Sequence, residues 1–359
     1  MNVSNGVVTA SAGEAVDVED EQGMSSEPSR IYRTREEQRE AGLKREITPW
    51  LTLSSLLEGE VLFDEFDTRE THPDIKASED SASLQLGLVA DLFEWAEAEV
   101  IVEYETDVDK FVTEEAFVTL EHDPWELILG KQFTPFGVYY SHFVSGPLIE
   151  FGETQARKVA TLSYGPSDRL DLSIAVYRGR ARELGKDSQA WDWAVALESW
   201  PGENWSFGVS YQSDLADADE RLLEEVDDRY AESVSGVSGY LLLVGDQFEF
   251  SLEVLAATDI FRELDRDRNR PSAWNAELVH FMPGSDFELA FRLEGSRELE
   301  EAPKYRYGLA LTRYEGKHAS LTLEYLHGQF EEGFHAIEIE DEIPIAHVNS
   351  IGAKVIIEF

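Results

Sequence analysis

The sequence predicts an all-β chain closed into a transmembrane antiparallel barrel of about 16 strands. Three observations carry that prediction. Apolar and polar residues alternate with period two from Trp50 to the last residue, the pattern of strands with one dry and one wet face. The connections between these segments alternate short and long, as in barrels with tight turns at one rim and loops at the other. No apolar run is long enough for a transmembrane helix, whereas a strand crosses a bilayer with about 9–11 residues, only alternate ones apolar.

Residues 1–45 are acidic, Ser-rich and poor in large apolar side chains. They are expected to form a disordered periplasmic tail. Within it Arg35–Glu46, REEQREAGLKRE, suits a short charged helix but not several coiled-coil heptads. Val7–Ala12 ends in Ala10-Ser11-Ala12, a small-residue cleavage pattern that suggests the remnant of a secretory signal. The barrel domain is expected over 46–359.

Strands are predicted near 50–65, 81–91, 95–106, 112–122, 126–133, 157–164, 169–179, 190–199, 204–213, 235–244, 247–257, 272–282, 286–295, 304–314, 318–327 and 347–359. In the first, Leu51, Leu53, Leu57, Val61 and Phe63 alternate with a mostly polar set. Leu172, Ile174 and Val176 form a dry face in the seventh, and Trp205, Phe207, Val209 and Tyr211 in the ninth. Short links such as Pro283–Ser285 and Gly245-Asp246 carry turn residues. Longer acidic links lie between them, with 107–111 as a short exception. Trp50, Trp95, Trp125, Trp191, Trp200, Trp205 and Trp274 sit at or near strand ends, where interfacial girdles form. The last strand is amphipathic and ends on Phe359, resembling the signal that such barrels show their outer-membrane assembly machinery.

The formal net charge is -43 and there is no Cys. Phosphate binding needs clustered Lys and Arg, so nucleic acid is not expected as a partner. Disulfides and thiolate metal sites are absent. The acidity fits a solvated surface in a salt-rich habitat, or a field that concentrates cations at a pore; the two can coexist. No catalytic motif is present, the histidines share no metal-ligand spacing, and no cofactor is implied. The chain is not expected to be an enzyme.

Alternation turns one set of charges inward. Glu97, Glu99, Glu103, Glu105 and Glu115 are expected to line the lumen, with Glu58, Glu60, Glu121, Glu126, Glu249, Glu253, Glu288, Glu294 and Glu324. The basic candidates are fewer: Arg157, Arg292, Arg306 and Lys354. Arg178, Arg180 and Arg182 cluster where the seventh strand meets its loop, and are expected to face Glu150 and Glu153 across the pore.

One connection differs from the rest. Residues 134–156 are rich in Phe, Tyr, Gly and Pro and follow no helical or strand period. A structureless link of this length is usually functional or disordered, and this one is too aromatic for disorder. It is expected to fold into the barrel and narrow the pore. Phe133, Phe136, Tyr139, Tyr140, Phe143 and Phe151 would pack it on the wall, with Pro135 and Thr154 near its ends. Gly137, Gly146 and Gly152 would allow its bends. Glu150, Glu153 and Arg157 would be the charges nearest the narrowest point.

This stretch, with Gln132-Phe133-Thr134-Pro135-Phe136-Gly137, Pro147-Leu148 and Phe151-Gly152-Glu153-Thr154 in order, resembles the LbtU-type siderophore porin family, as does the early strand Trp50–Glu58. The resemblance implies an outer-membrane channel of a Gram-negative envelope, proposed in that family to admit ferric siderophores without a plug domain or energy-coupling box. The tail is shorter than that family's helical region, which bears on any tail-mediated oligomer. The expected partners are outer-membrane lipid, a small solute and a possible second copy of the chain. Two other functions suit the same residues: a general cation-selective porin, and a soluble or surface acidic β-protein binding sugars or divalent metals.

Overall fold

Strand alternation closes the chain into a barrel. The computed structural model describes residues 45–69, 74–106, 109–183, 191–202, 204–218, 229–230, 232–264, 268–299, 302–316, 318–331 and 344–358. Residues 1–44 of the expected tail and terminal Phe359 lie outside these residues, while Arg45 and Glu46, expected at the end of a short charged helix, lie in a strand instead.

The barrel strands are β1 Leu51–Thr68, β2 Ile75–Phe93, β3 Ala96–Glu105, β4 Lys110–His122, β5 Trp125–Phe133, β6 Gln155–Ser167, β7 Leu170–Arg178 and β8 Trp191–Gly202. They continue as β9 Trp205–Gln212, β10 Gly236–Val244, β11 Phe248–Ala257, β12 Ser272–Phe281, β13 Phe287–Arg297, β14 Tyr305–Glu315, β15 Ala319–Gln329 and β16 Ile345–Glu358. Each pairs antiparallel with the next, and β16 pairs with β1 with Lys354 opposite Glu60. Closure leaves no sheet edge, so every wall strand is hydrogen-bonded on both sides. All sixteen predicted strands are present.

A short strand, Arg45–Thr48, pairs with the start of β1. A second small sheet pairs Arg182–Glu183 with Arg229–Tyr230 in parallel. Two-residue strands are too short to show a period, so alternation did not predict them. β2 starts at Ile75 rather than near 81, because the β1–β2 ladder runs on to Phe66 opposite Ile75. An ion pair between Lys76 and Glu65 (2.7 Å) ties these outer rungs together.

The two faces differ as the alternation requires. Leu57, Phe63, Leu88, Leu129, Ile174, Val209, Val254, Leu278, Leu309, Leu323 and Val355 are exposed on the outer face. Unpaired apolar area on this scale suits hydrocarbon rather than water. Trp50, Trp95, Trp125, Trp200 and Trp205 ring the short-turn rim. Trp191, Trp193, Tyr305, Tyr307 and Tyr325 lie toward the other. The inner face buries polar groups, among them Glu249, Glu277, Glu288 and Glu294.

Candidate functional site

The loop between β5 and β6 lies inside the barrel. Its ends are held together where Thr134 N donates to Thr154 O (2.9 Å). Gln212 on β9 fastens both ends: its amide oxygen accepts from Thr134 Oγ1 (2.9 Å) and its Nε2 donates to Thr154 Oγ1 (2.8 Å). Gly137 then turns the chain with φ 74°. A side chain there would be strained, and its Cβ would lie 2.3 Å from the Tyr139 ring.

From that turn the loop has few backbone partners of its own. Its N–H groups are taken by carboxylates from successive wall strands. Glu253 on β11 accepts from Val138 N (2.8 Å) and Tyr139 N (3.0 Å). Glu277 on β12 accepts from Ser141 Oγ (2.7 Å) and His142 N (3.0 Å). Glu324 on β15 accepts from Val144 N (2.6 Å) and Ser145 N (3.1 Å). Glu294 on β13 accepts from Leu148 N (2.7 Å). A buried N–H left without a partner costs about 1–3 kcal/mol, so these bonds determine where an aperiodic segment can rest.

Two cations bind the other side of the ladder. Arg292 is fully buried, pairs with Glu277 (2.9 Å) and donates to the carbonyl of Ser145 (2.9 Å) and the hydroxyl of Ser141. Its guanidinium also lies 4.2 Å from the centre of the Phe143 ring. Arg306 joins Glu294 (2.5 Å) to Gly146 O (2.6 Å). His142 is enclosed between Glu288 on β13 (2.6 Å) and Glu249 on β11 (3.0 Å). Burial opposes its charge, but Glu288 and Glu249 outweigh burial and raise its pKa well above the usual histidine value.

The loop's apolar residues fill the remaining space. Phe136, Tyr139, Ile149 and Phe151 pack with Leu215, Leu255 and Phe261 in one cluster. Phe143 packs with Val279, Ala290, Ala310 and Leu326 in another. The one helical piece is a 3-10 turn, Leu148–Gly152. Gly152 packs on Leu255, where a Cβ would lie 2.5 Å from Leu255 Cδ1, and Gly146 lies against the Glu150 carboxylate. Phe133, Pro135, Tyr140, Glu150 and Glu153 are half-buried, while Thr154 is buried.

The expected lumen charges divide into groups. Glu97 and Glu99 are half-buried on the inner face of β3. Glu103 and Glu115 also turn inward but are buried, Glu103 accepting from Gln85 Nε2 (3.0 Å). Glu58 and Glu60 on β1 hold Lys354 (2.9 and 3.5 Å). Two of the basic candidates, Arg178 and Arg292, are placed differently from expectation. Arg178 continues the outer face of Leu172, Ile174 and Val176, so it points away from the lumen. Arg292 is sealed beneath the loop and lines no open space. Arg157 is exposed where the β5–β6 register slips, so strand parity does not fix its direction. Arg306 faces inward but serves the loop. Arg180 is half-buried beyond β7, and its backbone N–H donates to Asp217. The Arg182 side chain lies outside what the structure describes.

Two groups were missed. Glu277 lies among small residues on an inner face, Ala273 and Asn275, where no strong dry set marks the parity. Asp192, Asp214 and Asp217 form a buried cluster near the root of the loop. Burial, then Asp214 and Asp192, push the Asp217 carboxyl up to about 8 against donation from Ala181 and Arg180 N–H.

No family model matches the chain, and no curated protein matches it either. Solved structures do. The outer membrane channel DcaP of Acinetobacter baumannii is similar over 89% of this chain and 99% of its own, with TM-score 0.61 and 12% identity. An anion-selective porin from Comamonas acidovorans matches over 86% and 99%, with TM-score 0.62 and 10% identity. OprB of Pseudomonas putida matches over 86% and 94%, with TM-score 0.59 and 10% identity. The shared feature is the fold: this chain is a sixteen-stranded barrel of the outer-membrane porin type.

Proposed function

We propose that the protein is an outer-membrane channel through which small solutes pass passively, with a preference for cations. The inward loop covers the wall from β9 to β15, so the open path runs between it and the facing wall, β16 and β1–β4. The observation that carries the proposal is the charge on that facing wall. Glu58, Glu60, Glu97 and Glu99 turn inward there, with Glu103 and Glu115 buried on the same face, against Lys354 and, at the rim, Lys110. Rows of carboxylates favour cation entry, and a low-dielectric wall strengthens their field. Glu150 and Glu153, half-buried on the loop, would add to it from the other side. The loop's aromatic core would keep the constriction rigid.

The resemblance of the loop to siderophore porins favours a finer reading of the same channel, with ferric siderophores as cargo. The acidic wall then selects among siderophores: neutral or cationic complexes would pass more readily than anionic ones. The test is single-channel recording of the refolded protein under a salt gradient. Discrete steps with a reversal potential on the cation side support the channel. Block by a neutral or cationic ferric siderophore would support the finer reading. An anion-selective reversal potential would overturn the cation preference, and a folded, inserted barrel without conductance would overturn the channel.

A further inference from the structure

We propose that Asp192, Asp214 and Asp217 form a binding site for a hard divalent cation of the calcium class, at the root of the inward loop. The argument is independent of what the channel conducts.

The three residues come together through the fold. Asp192 is the second residue of β8 and turns inward because Trp191 and Trp193 face out. Asp214 follows β9 and caps the 3-10 turn Leu215–Asp217, which ends in the third carboxylate. They are 6%, 0% and 2% exposed. One carboxylate oxygen from each lies within 4.8 Å of the other two.

Neutral donors orient them. Ser213 Oγ donates to Asp192 Oδ1 (3.0 Å), Ala216 N to Asp214 Oδ1 (3.0 Å) and Ala181 N to Asp217 Oδ1 (2.9 Å). The Ala181 bond fixes the Asp217 carboxylate without neutralising it. Asp217 Oδ2 is buried and meets no donor among the described residues. No Lys or Arg there forms an ion pair with Asp217. Space for the carboxylate exists because residue 179 is glycine: a Cβ would sit 1.9 Å from Asp217 Oδ2.

Buried like charges in contact need either a proton or a cation. The donors are all oxygens, the set that hard cations prefer over zinc or copper. Calcium–oxygen bonds of about 2.3–2.6 Å span oxygens separated by this much, and Ca²⁺ tolerates irregular coordination better than Mg²⁺. Water would complete the shell. A cation here would also stiffen the loop's attachment, because Asp214 O accepts from Gln212 Nε2 (2.9 Å), and Gln212 holds both loop ends.

The test uses the full refolded chain in detergent, stripped with EDTA, in salt high enough to screen exposed carboxylates. Tb³⁺ titration excited through the neighbouring Trp191 and Trp193, followed by Ca²⁺ displacement, should show one saturable site. Ca²⁺ should raise the melting temperature by several degrees. Asp217→Asn should weaken binding at least tenfold while keeping the barrel's circular dichroism, and Asp192→Asn provides the same test if the first variant misfolds. Mg²⁺ should compete weakly. The proposal fails if wild type and variants bind Tb³⁺ alike. It also fails if Ca²⁺ changes no melting temperature and Asp217→Asn is as stable as the EDTA-treated wild type, since the carboxylates would then share a proton.

Discussion

The two halves of the barrel wall use the same residue for opposite ends. From β9 to β15 the inward glutamates are consumed by the loop: Glu253, Glu277, Glu294 and Glu324 each accept loop N–H groups. On β1 and β3, Glu58 and Glu60 hold Lys354, and they, Glu97 and Glu99 remain half-buried on the inner face. A carboxylate's role here is set by the backbone donors brought to it, not by its type or its strand. One wall is a seat and the other a charged face, and substitutions on the two should separate cleanly.

The largest effect is expected from breaking the seat. Arg292→Ala would leave Glu277 buried without its cation, a loss of about 3–5 kcal/mol. Thermal melting should show it, and the loop between residues 134 and 154 should become a protease target. Arg292→Lys should recover only part, because an ammonium cannot reproduce the fork that reaches Glu277 and the Ser145 carbonyl together.

The next effect should come from His142. Its folded-state pKa is raised by Glu288 and Glu249. Its contribution is therefore complete below the unfolded value of about 6.5 and is lost as pH rises through the higher folded value. The loop should stay docked at neutral pH and loosen at alkaline pH, with about 1.5–3 kcal/mol at stake. Conductance noise against pH would measure this. His142→Gln should remove the pH step, and an unchanged profile would mean that other groups hold the loop.

The smallest effect on stability, and the largest on selectivity, belongs to the facing wall. Glu97→Gln with Glu99→Gln should shift melting by no more than about 0.5 kcal/mol per site. The cation preference in reversal potential should nonetheless fall. Equal loss of stability on both walls would erase the distinction drawn between them.

The strands were legible because period two is a local signal, repeated sixteen times. The loop was legible by contrast, as the one long stretch where that period stops and aromatics continue. What holds the loop was only half legible. Glu253, Glu294 and Glu324 could be turned inward by parity, but nothing local says that a backbone N–H from residue 138, 148 or 144 will meet them. His142 reads as an isolated rim histidine, since its partners Glu249 and Glu288 lie 107 and 146 residues away. Arg178 is a different failure. Its parity with Val176 and Ile174 is visible in the sequence and puts it on the outer face. The Asp192, Asp214 and Asp217 cluster joins two segments that only the β8–β9 hairpin brings together.

The seat of the loop also dictates an order of assembly. Residues 134–154 leave the ribosome before every strand that will hold them. Val138 waits for Glu253, 115 residues later, and Val144 for Glu324, 180 residues later. Contacts this distant in sequence form late, because the intervening chain must be ordered first. The loop therefore cannot template the barrel. It docks only once β11 to β15 are in place, so docking of the loop should be a late and separable phase of refolding.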